Sequence, residues 1–171
     1  GALALLAGLR GAGVRLDVAC LNSAISACAL GHRWQEAAAL LCSASGQRLS
    51  PDVVSYGAMI NASAKAAAWH HAVALLTGME DLRVAANVIA FNATISACAR
   101  GQEWARGLSL LEEARRSAVR CDTTTYNAAV HACAGGQRWP RALGLLGEMC
   151  RRGVPADLVT FNTAISACER G

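Results

Sequence analysis

Val88–Asp122, VIAFNATISACARGQEWARGLSLLEEARRSAVRCD, decides the fold, because the chain on either side repeats it with a period of 35 residues. Trp34, Trp69, Trp104 and Trp139 each follow the last by 35, and Leu-Leu pairs fall at 40–41, 75–76, 110–111 and 145–146. A fixed period of this size marks stacked supersecondary units rather than one continuous core. The complete units are 18–52, 53–87, 88–122 and 123–157. Residues 1–17 read as the second half of a preceding repeat and 158–171 as the first helix of a further one.

The chain starts on Gly and both begins and ends in mid-repeat, so it is read as a piece of a longer protein. Its opening, GALALLAGLRGAGVRLD, is small, apolar and weakly basic, as a secretory signal is. Against the units, however, Leu5-Leu6 falls where Leu40-Leu41 does and Asp17 where Asp52 does, so the half-repeat reading is preferred. No apolar run reaches the roughly 20 residues a membrane helix needs.

The net charge of +4 rests on 16 basic residues, of which Lys65 is the one lysine. Such a balance permits binding to a polyanion without demanding it. Eight cysteines invite a disulfide or zinc reading, yet no Cys-x-x-Cys occurs and no paired His spacing lies nearby. Cys28, Cys98, Cys133 and Cys168 share one slot of the repeat, which reads as small apolar packing, and free thiols at this density point to a reducing compartment. No metal and no cofactor is expected.

Each unit carries two helical patterns. In the first, Leu21/Ile25/Cys28, Tyr56/Ile60/Ser63, Phe91/Ile95/Cys98, Tyr126/Val130/Cys133 and Phe161/Ile165/Cys168 recur at i, i+4, i+7, which predicts one buried helix face. The second runs from each Trp through Ala37, Ala72, Gly107 or Ala142 to the Leu pair, with a small residue where two helices can approach closely. Leu30-Gly31, Arg100-Gly101 and Gly135-Gly136 lie between the two patterns, and a left-handed helix end is expected there. Asp17, Asp52, Asn87, Asp122 and Asp157 each precede a first helix and are predicted N-caps. A hairpin of this length cannot bury its apolar face alone, so the expected fold class is all-α, a right-handed α-solenoid superhelix of stacked helical hairpins. The tryptophans are expected to pack between helices or units.

The other face of the first helix is more informative. Along it run Asn22/Ser26, Gly57/Asn61, Asn92/Ser96, Asn127/His131 and Asn162/Ser166, and three residues before each lie Ala19, Val54, Ile89, Thr124 and Val159. A merely solvated face has no need of the same amide in four of five units.

These residues carry a resemblance to the pentatricopeptide repeat family. Asp122 followed by TTTYNAAVHACAGGQRWPRALGLLGEMCRRGVPAD, and Asp157 followed by LVTFNTAISACERG, match that family's Tyr/Phe-Asn start, Ala-Leu second helix, Met, and Gly-Val-x-x-Asp end. Tetratricopeptide repeats have a period of about 34 and place their Trp in the first helix; here each Trp opens the second, where the pentatricopeptide family usually has an aliphatic residue. The resemblance implies binding of single-stranded RNA, one base per repeat, read by the first-helix amide and the unit's last residue. The pairs are Asn22 with Asp52, Gly57 with Asn87, Asn92 with Asp122, and Asn127 with Asp157, while Asn162 begins a further site. In the family an Asn–Asp pair favours uracil. An amide offers a donor and an acceptor to the carbonyl and N3–H of uracil, and an ionised Asp repels the N3 lone pair of cytosine. Gly57 has no side chain and costs its helix roughly 1 kcal/mol relative to Ala, so its base is read poorly. With the RNA 5′ end at the N-terminal repeat, the implied target is 5′-U-N-U-U-3′.

Ala19, Val54, Ile89, Thr124 and Val159 are implied to sandwich the bases, each contributing no more than the low end of the roughly 1–3 kcal/mol of aromatic stacking. Lys65, Arg100 and Arg170 share the slot that contacts phosphate in the family, although Leu30 and Gly135 interrupt it. Binding by the chain alone is expected to be weak and salt-dependent. Neither the His-x-Glu with Pro-Cys-x-x-Cys of a deaminase nor a phosphate-binding glycine loop occurs, so the chain reads as a non-enzymatic binder with no small-molecule substrate. Protein partners would supply any catalysis, and the family implies a mitochondrial or chloroplast location and a role in RNA processing, editing, stability or translation. A protein–protein interaction scaffold is the alternative, since helical repeats also present grooves for peptides.

Overall fold

The computed structural model describes residues 17–31, 33–45 and 50–169. The expected half-repeat before Asp17 and the basic residue Arg170 lie outside the described residues. Nine α-helices and no strands are present among the described residues: α1 (Val18–Leu30), α2 (Trp34–Ser45), α3 (Val53–Lys65), α4 (Trp69–Asp81), α5 (Val88–Arg100), α6 (Trp104–Arg116), α7 (Thr123–Gly135), α8 (Trp139–Arg151) and α9 (Leu158–Glu169). The fold class is that of an all-α helical-repeat solenoid. The chain divides into two compact units, residues 1–86 and 87–171.

In the first unit α1 packs against α3, and α2 and α4 pack on these first helices rather than on each other. Its core is built from Leu21, Ile25, Leu40, Met59, Ile60, Leu76 and Met79. In the second unit α5, α7 and α9 form the corresponding layer, backed by α6 and α8. Each of these first helices therefore packs against another first helix and against at least one second helix. That crowding explains its alanines: Ala62 and Ala64 in α3, Ala97 and Ala99 in α5, and Ala132 and Ala134 in α7 are all buried. A small residue is also needed on the second helix, where a Cβ at Gly107 would reach 3.4 Å from the Cβ of Ala132.

The helix starts behave as the sequence predicts. Asp17 accepts from the backbone N–H of Cys20 at 2.7 Å, Asp52 from Ser55 at 2.9 Å, Asn87 from Ala90 at 3.0 Å, Asp122 from Thr125 at 2.9 Å and Asp157 from Thr160 at 2.8 Å.

The helix ends differ from expectation. Gly31, Gly101 and Gly136 have φ of −81°, −80° and −87°, so none is left-handed. The left-handed residue comes one later, at Ala67, Gln102 and Gln137 after first helices and at Arg83, Ala118 and Gly153 after second ones. The next N–H then reaches back to the helix, as Glu103 does to the Cys98 carbonyl at 2.9 Å, closing a Schellman turn. Gly136 is needed for space instead: an added Cβ would lie 2.2 Å from Cδ1 of Trp104. Trp104 thus packs on the turn of the next hairpin, with the Arg138 guanidinium 4.8 Å from its ring. In the first unit Trp34 meets His71 of the next hairpin at 4.9 Å between centroids.

The i, i+4, i+7 face is buried in α1, α3, α5 and α7. In α9 the expectation fails: Phe161 and Ile165 are 49% and 57% exposed, and Cys168 is exposed too. No described helix follows α9 to cover that face. Cys28, Cys98 and Cys133 are buried core thiols, and burial pushes those of Cys98 and Cys133 up to about 11.

One feature of the second unit was not legible in the repeat pattern. Arg115 of α6 pairs with Glu148 of α8 and donates to the Tyr126 hydroxyl of α7 at 3.1 Å. Glu148 also accepts from Arg152 Nε at 2.6 Å. Burial alone would raise the Glu148 carboxyl, but its bonds to Arg115 and Arg152 outweigh that and hold it below the ordinary range.

Candidate nucleic-acid interface

The N-cap side chain at the start of one first helix lies beside the first turn of the preceding first helix. This follows from direct packing of first helix on first helix, and it brings together residues 30 apart. Asn22 Nδ2 donates to Asp52 Oδ1 at 3.2 Å, Asn92 to Asp122 at 3.2 Å, and Asn127 to Asp157 at 3.1 Å. Three of the amide–acid pairs named from sequence are therefore in contact within their units.

Each carboxylate serves two helices at once, capping its own and holding the amide of its neighbour. For Asp52 and Asp157 the bonds from the backbone N–H groups of Ser55 and Thr160 come first in keeping the carboxyl below its ordinary value of 3.8. For Asp122 burial opposes ionisation, yet the Thr125 N–H and hydroxyl and the Asn92 amide outweigh it. At neutral pH all three are carboxylates and can only accept.

Gly57 has open space around it, and a Cβ there would meet nothing within 4 Å. Asn87 caps α5, and Asn162 is exposed on α9. The residues one turn before the amides all face solvent: Ala19, Val54, Ile89, Thr124 and Val159 are exposed, Ile89 by 65% and Val159 by 60%. Isolated exposed aliphatic side chains are ordinary, but here they recur at the same helix position as the amides' i−3 neighbours. Lys65 and Arg100 are exposed at the last residues of α3 and α5, and Leu30 fills that slot on α1 at 74% exposure.

The amide orientation corrects the sequence expectation. The Oδ1 of Asn92 is buried, and that of Asn22 and of Asn127 each accepts a hydroxyl bond, from Ser55 and Thr160, at 2.5 Å. Nδ2 is thus the amide atom left for a ligand, and the pair offers one N–H and a carboxylate rather than a donor and acceptor from the amide itself. Sequence reasoning missed Ser55, Thr125 and Thr160. Their signal was available, since a hydroxyl follows Asn22, Asn92 and Asn127 by 33 residues each time. Among the described residues no cluster of His, Cys, Asp or Glu could hold a metal ion, and no helix is long and apolar enough to cross a membrane.

Two-helix hairpins, three of which offer an amide–carboxylate pair on their first helix, define a helical-hairpin repeat protein. Two family models specify it further, the PPR repeat family over residues 122–170 and the pentatricopeptide repeat domain over residues 39–100. The chain belongs to the pentatricopeptide repeat family.

Among solved structures it is similar to the pentatricopeptide repeat protein PPR10 in complex with an 18-nt psaJ RNA element, at 26% identity and a TM-score of 0.82, over 92% of this chain and 23% of that one. A structure of PPR10 from maize matches at 22% identity and a TM-score of 0.57, over 95% of this chain and 28% of that one. The PPR domain of Arabidopsis thaliana protein-only RNase P 1, in complex with tRNA, matches in fold at 11% identity and a TM-score of 0.79, over 98% of this chain and 89% of that one. The chain spans 23% of the length of the RNA-bound PPR10 chain. No curated protein sequence matches it.

Proposed function

We propose that the chain binds single-stranded RNA, one base to each amide–carboxylate pair, and acts as a binder rather than a catalyst. The observation that carries this reading is the repeated contact of Asn22 with Asp52, Asn92 with Asp122 and Asn127 with Asp157, each beside an exposed small or branched side chain. A family member of similar structure, PPR10, is bound to an RNA element, which supports the ligand class.

Uracil is the base that suits these pairs. The free N–H of the amide meets a carbonyl, and the carboxylate meets N3–H directly or through water, where cytosine would bring a lone pair. Gly57 offers no such group, giving 5′-U-N-U-U-3′ with the 5′ end at Asn22. Val54, Ile89, Thr124, Val159 and Ala19 flank the bases, and Lys65 and Arg100 meet phosphate. By family resemblance the setting is mitochondrial or chloroplast RNA processing, editing, stability or translation, with any catalysis supplied by protein partners.

A filter-binding titration of this chain with oligo-U and oligo-A at moderate salt tests the reading. Preference for oligo-U, weakening as salt rises, is the expected result. Equal affinity for both removes the uracil assignment, and absence of binding to either removes the RNA assignment.

A further inference from the structure

The geometry points to a third member of the reading set at two of the pairs: the hydroxyl of Ser55 or Thr160 fixes which way the neighbouring asparagine amide faces, and so selects a base carbonyl over a base amino group. This rests on the RNA-binding reading and adds a specificity-determining residue to it.

The hydroxyl is tied down before it meets the amide. Ser55 Oγ accepts from the backbone N–H of Asp52 at 3.2 Å, and Thr125 and Thr160 accept from Asp122 and Asp157 at 3.1 Å each. With that bond made, the single hydroxyl proton is directed to an acceptor. For Ser55 the nearer acceptor is Asn22 Oδ1 at 2.5 Å, against 3.0 Å to Asp52. For Thr160 it is Asn127 Oδ1 at 2.5 Å, against 2.7 Å to Asp157. At the third pair the Thr125 hydroxyl goes to Asp122 at 2.9 Å instead, and the Oδ1 of Asn92 is buried without a partner.

At Asn22 and Asn127 two neighbours thus impose one orientation. The carboxylate draws Nδ2, the hydroxyl draws Oδ1, and a flipped amide would set Oδ1 against the carboxylate, two acceptors face to face. Held this way, the amide presents an N–H outward. Uracil and cytosine differ where one has the O4 carbonyl and the other the N4 amino group, so an outward N–H accepts uracil and an outward oxygen would accept cytosine.

The sequence follows the same logic. The hydroxyl stands 33 residues after Asn22, Asn92 and Asn127, whereas Ala90 stands 33 after Gly57, where no amide needs holding. A helix-capping role alone does not account for that difference, since Asn87 also begins a helix.

The test compares the wild-type chain with Thr160→Val and Thr160→Ser, titrated with 5′-UNUU-containing RNA carrying U or C at the fourth base or, separately, at the third. Thr160→Val is expected to lower the U-over-C preference at the fourth base about fivefold, the worth of one neutral hydrogen bond. The third base stays unaffected, and Thr160→Ser retains the preference. Ser55→Ala, within α3, repeats the comparison with U or C at the first base in case Thr160→Val frays α9, with far-UV circular dichroism confirming the fold. Unchanged preference in the folded variants overturns the inference and leaves the hydroxyl as a cap only. A wild type that binds RNA but prefers neither pyrimidine overturns instead the reading on which it rests.

Discussion

Trp104 and Gly136 meet so closely that the glycine's missing side chain is the condition of the contact: a Cβ there would lie 2.2 Å from Cδ1 and 2.6 Å from Cγ of the indole. The indole opens the second helix of one repeat, and the glycine ends the first helix of the next. Gly136→Ala is therefore expected to destabilise the chain by about 1–3 kcal/mol, the usual cost of overpacking, although its φ of −87° suits alanine. Chemical denaturation checks this; a variant as stable as wild type means the indole moves freely and does not hold the repeats together.

The opposite sign is expected at Ala118. It holds φ of 56° at the end of α6, a conformation that costs a residue with a Cβ about 1–2 kcal/mol and glycine little. Gly153 occupies the same turn after α8 with φ of 67°. Ala118→Gly should raise stability by about 1 kcal/mol, seen as a higher denaturation midpoint at unchanged slope. A lower midpoint would show that chain entropy outweighs the relief.

Acid should weaken the stack through its caps. The carboxyls of Asp52, Asp122 and Asp157 have folded values below the ordinary 3.8, so the native state binds fewer protons than the unfolded chain in that range. Their stabilisation is present above the unfolded value and is lost as pH falls through the folded one. Asp122→Asn can still cap α7 and accept from Asn92 but cannot titrate, so its stability should fall less steeply than wild type below pH 3.8. Identical acid profiles by circular dichroism would assign the loss to other groups.

The repeat, the helix faces and the capping residues were legible because each is a local pattern: the tryptophan period, the i, i+4, i+7 stripe, and an Asp or Asn before every first helix. The Asn–Asp pairs were legible through family resemblance, and their contact follows from first helices packing on one another. The exposure of Phe161 and Ile165 is not legible, because periodicity identifies an apolar face but not whether a neighbour covers it. The left-handed turn residue sits one position later than the glycine suggests, because Gly136 reads as a conformational glycine whereas the molecule uses it to make room for Trp104. The amide's orientation depends on Ser55 and Thr160, which belong to the next hairpin and are invisible to any reading confined to one unit.

Because Asp52, Asp122 and Asp157 both start a helix and clasp the amide behind them, changing a letter of the code proposed above means editing a structural joint. The alphabet open to that position is confined to side chains that can also begin a helix, and all five positions, from Asp17 to Asp157, carry Asp or Asn. Under that proposal the evolution of target choice is tethered to foldability, with the first-helix amide position, where Gly57 is already accommodated, left as the freer of the two.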